Sequence, residues 1–343
     1  MQPETGSGKW TLARLAVEAG VSKSTVSRAL SDHPEVNGAT RGRIRALAEA
    51  VGYQVDAKAR ALALRKTQTV GVVIPRTARF IFANPYFSQL IQGVGDILDE
   101  SGYHLLLNTN PEPLTFLGLI RERRVDGLLL TASAMSGAAL EAIGREAAAG
   151  FPIVLINQPA RRVQCASVGV DNAEGIQQAI AYLLGKGHRR IGFIASPAQT
   201  VHGRERLRAF AEAMAAAGLG DGGEQTVGGD DTEHGGEHAA AQLLAAELRP
   251  SALLCSNDLM AIGALRAARR LGLAVPGDVA VVGFDDIHLA ALVQPALTTV
   301  RQPIARAGRV AAKLLIERLD EQPAPWGNDR IQLQTELVVR ESA

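Results

Sequence analysis

Residues 11–30 read TLARLAVEAGVSKSTVSRAL. Thr11 is placed to cap a helix in which Leu12, Leu15, Ala16 and Ala19 fall on one apolar face. Gly20 breaks that helix, Val21 packs in the turn, and Ser22 caps a second helix whose apolar positions are Val26, Ala29 and Leu30. Two short helices around a glycine turn make a helix-turn-helix. In that motif the second helix lies in the DNA major groove with its N-terminal residues on base edges. Those residues are Lys23, Ser24 and Thr25, followed by Ser27 and Arg28, and all can donate hydrogen bonds to phosphates or bases. An ordinary helical hairpin is the bland alternative, since Ser/Thr-rich helix starts are common.

Charge supports the first reading. Residues 1–66 hold 11 Lys/Arg and 6 Asp/Glu, a balance of +5, whereas the remaining 277 hold 25 and 29, a balance of −4. A small basic head on a mildly acidic body is what phosphate neutralisation needs. A merely solvated basic surface would not explain why the excess falls on the helix-turn-helix segment.

Outward from this stretch, Ser31–Pro34 read as a loop. Asn37 can cap a third helix over about 39–51, with Ile44, Leu47, Ala48 and Val51 on one face and Gly52 at its end. Next comes DAKARALALRKTQT, residues 56–69, a short Ala/Leu/Arg run too short to hold a helix alone. It reads as a linker that folds on a partner.

From Val70 the texture changes to buried apolar strands alternating with helices. The strands are expected at 70–75, 103–108, 127–132, 153–157, 167–170, 191–195, 252–256, 279–284 and near 331–340. Asp171-Asn-Ala-Glu174 opens one of the helices as a capping box. The pattern means parallel sheets in an α/β fold, and about ten strands is large for one sheet, so two α/β lobes are expected. In such sheets ligands sit beyond the carboxyl ends of the strands. Polar residues there are Asn157, Asn257, Asp258, Asp285 and Asp286, with Arg204 and Arg206 opening the helix after IGFIA. They suit a small polar molecule such as a sugar. Capping of the next helix explains Asp258 better than a ligand does.

The 343-residue length allows two or three domains, and 47% hydrophobic with 21% charged residues is ordinary for a soluble globular chain. There is no apolar run of about 18 residues and no export signal in MQPETGSGKW, so the chain reads as cytoplasmic. Cys165 and Cys255 are far apart and imply neither zinc nor a disulfide. His234 and His238, with Glu233 and Glu237, lie at helix spacing but lack a third ligand, so they read as solvated surface and no metal or cofactor is expected. Asp285-Asp286 could suggest glycosidase carboxylates, but adjacent strand-end side chains diverge. No phosphate loop, GxSxG or HExxH is present. From the residues alone, an α/β enzyme of sugar metabolism and a solute-binding protein remain the alternatives. The second would need a signal peptide.

Over residues 9–342 the chain resembles the LacI/GalR family of bacterial transcription regulators. The resemblance is carried by VSKSTVSRAL (21–30), AKARALAL (57–64), RRVDGLLL (123–130), GVDNAEG (169–175), GHRRIGFI (187–194), the run 256–286 and PALTTVRQP (295–303). It implies a sugar-responsive repressor, not an enzyme, with an all-α helix-turn-helix headpiece (1–55), a hinge helix (56–68) and a two-lobed, periplasmic-binding-protein-like (type I) α/β core (69–343). The N-lobe would be about 69–169 and 302–330, the C-lobe about 170–301 and 331–343. Its partners would be a near-palindromic operator DNA, a mono- or oligosaccharide effector and a second copy in a homodimer, with a nucleobase or nucleoside as the alternative effector. The DNA-contacting set would be Thr11, Ser22, Lys23, Ser24, Thr25, Ser27, Arg28 and Asn37, with Leu62 as a minor-groove wedge. The effector set would be Tyr86, Phe87, Asn157, Arg206, Asn257 and Asp285. Two departures stand out. Val55-Asp56 occupies a place where proline and asparagine are common, and Asp231 falls where many members carry a stacking aromatic.

Overall fold

The computed structural model describes residues 10–31, 33–53, 66–112, 114–131, 135–157, 163, 165–320 and 329–343. The chain divides into two compact units, residues 1–67 and 68–343.

The first unit holds α1 (Leu12–Glu18), α2 (Lys23–Leu30) and α3 (Gly38–Ala50). All three begin at the expected caps. Thr11 Oγ1 accepts from the Arg14 N–H at 3.2 Å, Ser22 Oγ from Thr25 at 3.1 Å, and Asn37 Oδ1 from Thr40 at 2.8 Å. Gly20 makes the turn at φ +66°, a left-handed conformation that costs glycine little. Each helix is too short to persist alone, so packing must hold it. Leu15, Val26 and Ile44, one from each helix, are fully buried together, each contributing roughly 1.5–3 kcal/mol of transfer free energy. The expected hinge residues 57–64, including Leu62, lie outside the described residues.

In the second unit two sheets form. The first contains β1 (Thr69–Val73), β2 (His104–Asn108), β3 (Gly127–Thr131), β4 (Ile153–Ile156), β5 (Ala166–Val170) and β11 (Arg330–Leu333). Their order is β11-β5-β4-β3-β1-β2, all parallel. Every residue of β3 and β4 is buried, as expected for continuous apolar runs covered on both faces. The cover comes from α4 (Ala78–Ala83), α5 (Pro85–Glu100), α6 (Phe116–Arg121), α7 (Gly137–Ala148) and α12 (Ile304–Asp320).

The second sheet contains β6 (Ile191–Ala195), β7 (Thr226–Gly228), β8 (Ala252–Cys255), β9 (Ala280–Asp285), β10 (Thr298–Arg301) and β12 (Glu336–Val338), in the order β12-β10-β9-β8-β6-β7. Only β12 runs antiparallel. Its helices are α8 (Asn172–Gly185), α9 (Val201–Ala216), α10 (Glu233–Leu244) and α11 (Asp258–Arg270). The α10–α11 and α5–α12 pairs cross closely. A Cβ on Gly263 would strike the Glu233 carbonyl oxygen, and one on Gly93 would strike that of Ala305.

The chain passes between the sheets three times, after β5 at Asp171, after β10 at Gln302-Pro303, and between β11 and β12 at Gln334-Thr335. This corrects the expected boundary before residue 331. Residues 330–333 all pair with β5 in the first sheet, so the chain changes sheets three residues later. Short β7, β10 and helix α4 were not anticipated, and the described residues contain twelve strands rather than about ten. No helix among the described residues is long and apolar enough to cross a membrane.

Candidate functional site

The carboxyl ends of the two sheets converge on one cavity of about 70 Å³ in the second unit. All six candidates, Tyr86, Phe87, Asn157, Arg206, Asn257 and Asp285, line it. Asn157 follows β4, Asn257 follows β8 and Asp285 ends β9, so the strand-end rule places three of them directly. Tyr86 and Phe87 open α5 behind the cap Asn84, with rings edge-to-face at 5.2 Å.

Arg206 is the buried centre, 3% exposed. Its guanidinium carbon lies 3.6 Å from the Phe284 ring centroid, Nε donates to Asn172 Oδ1 at 2.8 Å, and Nη1 donates to the Ser256 carbonyl at 2.5 Å. Nη1 also faces Asp285 Oδ1 at 3.5 Å, and Gln302 Nε2 donates to that same oxygen at 2.5 Å. Arg206 Nη2 and Asp285 Oδ2 carry no hydrogen bond among the described residues. Burial pushes the Asp285 carboxyl up to about 6, against the pull of Arg206 and Gln302. Burial lowers Arg206, while Asp285 and Asp231 oppose that shift.

A second cluster gathers on Asp231, which is 5% exposed. Its carboxylate accepts from Ser196 Oγ and, at 3.2 Å, from Asn257 Nδ2, and His202 Nε2 lies 3.6 Å away. Burial alone would raise this carboxyl. His202, Ser196 and Arg206 together hold it below the usual range. Burial, partly opposed by Asp231, lowers His202. Asn157, Asp231 and Asp285 have φ of 56°, 67° and 124°, backbone conformations that side-chain-bearing residues rarely adopt and that gather at binding sites. Asn157 donates to the Tyr86 hydroxyl, while its buried Oδ1 has no partner. Burial and nearby Asp285 push the Tyr86 phenol well above its usual value, so it stays protonated.

Three readings need correction. Asn257, not Asp258, caps α11: its Oδ1 accepts from the Met260 N–H at 2.8 Å. Asp258 is buried and accepts from the Ile287 N–H at 2.8 Å and the Thr299 hydroxyl at 2.5 Å. Arg204 is exposed and ties back to the Ala198 and Gln199 carbonyls at 3.0 and 2.9 Å, outside the cavity lining. Asp286 turns from Asp285 toward Arg301 and Arg340, at 2.7 and 2.5 Å, as adjacent strand-end residues should. Sequence reading missed Asn172, His202 and Gln302 as lining residues. Asn172 follows β5, so the strand-end rule would have found it, whereas Gln302 follows β10, which the sequence did not reveal.

In the first unit Lys23, Ser24 and Arg28 are exposed on α2, while Thr25 and Ser27 are half-buried. Ser24, Ser27 and Arg28 share one helix face. Ser22 Oγ is already engaged with Ser24 Oγ at 2.7 Å and Thr25 Oγ1 at 2.8 Å. Arg28 pairs with exposed Glu35 at 3.1 Å. Thr11 and Asn37 are exposed caps.

Residues 11–56 match the family of bacterial regulatory proteins of lacI type, and residues 180–343 match a periplasmic binding protein-like domain. The chain is 33% identical over 336 residues to the HTH-type transcriptional repressor CytR of Escherichia coli (strain K12), covering 97% of this chain and 96% of that one. It is 36% identical over 338 residues to the HTH-type transcriptional regulator CelR of Thermobifida fusca, covering 97% and 98%. Among solved structures, a transcriptional regulator CelR–cellobiose complex matches with TM-score 0.74 at 34% identity, covering 98% of this chain and all of that one. The lac repressor dimer bound to operator and the anti-inducer ONPF matches with TM-score 0.84 at 25% identity, covering 98% and 99%. The chain belongs to the LacI family of bacterial regulatory proteins, and it is a DNA-binding transcription regulator rather than an enzyme.

Proposed function

We propose that this regulator is a cytoplasmic repressor released from its operator by a sugar bound at Arg206 and Asp285. The observation that carries this reading is the Arg206–Asp285 pair itself, a charged donor and a charged acceptor side by side in the cavity lining with Nη1 3.5 Å from Oδ1. Together they match a hydroxyl pair, which both donates and accepts. Tyr86 and Phe87 supply the apolar wall that a sugar ring's C–H face needs. The relatives support the class: CelR is seen with cellobiose, and a LacI-family regulator from Enterococcus faecium with ribose.

Residues 1–55 would bind DNA through Lys23, Ser24 and Arg28, with 56–68 as the hinge, Leu62 as its wedge and 69–343 as the effector core. A homodimer places two heads on a near-palindromic operator. Two of the three passages between the lobes carry cavity residues: Asn172 follows Asp171 and holds Arg206, and Gln302 holds Asp285. A ligand at this pair therefore bears on the segments about which the lobes move, and it shifts the population of lobe arrangements.

The test is a thermal-shift panel of sugars and nucleosides on the full chain and on Asp285→Asn. A ligand that binds only the folded state raises apparent stability. A sugar that stabilises the wild type and not the variant is expected. Stabilisation by nucleosides alone would overturn the sugar reading.

A further inference from the structure

The cavity at Arg206 is the narrow middle, or waist, of three cavities that share lining residues. On one flank it shares Asn157, Val170 and Asn172 with a cavity of about 470 Å³ that runs between α9 and the β5–β11 edge. On the other it shares Phe80, Asn84 and Asp231 with a cavity of about 260 Å³ between α4 and the start of α10. Each flank is several times the size of the 70 Å³ waist.

The flanks have their own chemistry. The α9 flank carries Glu205, Arg208 and Glu212, charges of both signs that favour a neutral polar occupant over an ion. Glu205 also accepts from Asn172 Nδ2 at 2.8 Å, so Asn172 joins this flank to Arg206 with its two amide atoms. The α10 flank is lined by polar Thr232, Glu233 and His234 together with the apolar Phe80 ring. Asp231 stands at the passage to that flank. It is compact and its carboxylate is tied to Ser196 and Asn257, so it fills less of the shared wall than a large ring would.

Resting on the sugar reading above, we propose that the three cavities form one trough and that the effector is a linear neutral oligosaccharide of at least three units. One unit lies at the waist against Arg206 and Asp285, and its neighbours reach into the two flanks. A single sugar would fill the waist and leave both flanks to water.

The experiment is calorimetric titration of the full chain with glucose and with cello- and malto-oligosaccharides of two to four units. It is repeated on Arg208→Ala and His234→Ala, both exposed residues away from the waist. Affinity is expected to rise at least tenfold from glucose to the trisaccharide of one series. Each variant should weaken trisaccharide binding several-fold without changing any binding of glucose. Glucose binding as tightly as the trisaccharide, in the wild type and in both variants, would overturn the trough and leave the sugar reading standing. Binding of no saccharide, with a nucleoside binding instead, would overturn both.

Discussion

Arg206 lies over the Phe284 ring, 3.6 Å from guanidinium carbon to ring centroid, and the same guanidinium reaches the Ser256 carbonyl at 2.5 Å. The ring, that carbonyl and Asn172 leave the guanidinium one orientation. Its side-chain entropy is lost on folding, before any ligand arrives. A cation fixed in this way has little further ordering to do on binding. Lysine could not reproduce the arrangement, because it lacks both the planar stacking face and the forked donors.

Arg206→Lys should therefore weaken effector binding by about 1.5–3 kcal/mol, the scale of a charge-assisted hydrogen bond, while operator affinity without effector is kept. Calorimetry on the core ligand and anisotropy on labelled operator measure the two effects separately. Wild-type effector affinity in the variant would place the ligand elsewhere.

Acid should act through Asp285. Burial raises its carboxyl to about 6, so ligand hydrogen bonds that need the carboxylate fade as pH falls through 6. Stability runs the other way. A carboxyl raised in the folded state contributes stability that is fully present below its unfolded value near 4 and is lost as pH rises through about 6. Effector affinity of the wild type should therefore fall as pH drops from 7 to 5, which titration at several pH values measures.

The helix crossings give a prediction independent of ligand. Gly263→Ala in α11 and Gly93→Ala in α5 each drive a methyl into backbone of the facing helix, which cannot swing aside as a side chain can. Each should cost about 1–3 kcal/mol or more, seen as a lower melting temperature. Gly95→Ala, on the same α5 but with open space around its Cβ, should cost nothing and serves as the control.

On the head, Lys23→Ala should lower discrimination between operator and random DNA by about 1–3 kcal/mol, the value of a lost base contact. Arg28→Ala should do the same, reduced by whatever the exposed Glu35 pair already takes. Equal losses on both DNAs would make these phosphate contacts only.

Much of this architecture was legible in the chain because local rules dominate there. Thr11, Ser22 and Asn37 cap because each short polar side chain precedes an apolar period, and β3 and β4 are unbroken apolar runs. Strand ends led to Asn157, Asn257 and Asp285. What was not legible depends on the fold in three dimensions. Three-residue β7 has too little pattern to stand out, and β11 joins the first sheet through pairing with β5, which no local signal encodes. Asn257 and Asp258 are adjacent polar residues, and only the buried Thr299 and Ile287 partners show which one caps and which one anchors the core. His202 joins the cavity from the first turn of α9, at Val201–Ala216, where no polar pattern in the sequence singled it out.

The most direct measurement is operator affinity as a function of effector. Anisotropy of a labelled near-palindromic operator is titrated with the full chain, with and without the sugar that most raises its melting temperature, and again with Asp285→Asn. The account predicts that the sugar lowers wild-type operator affinity at least tenfold and leaves the variant's unchanged. A sugar that stabilises the chain yet leaves operator affinity untouched would contradict it.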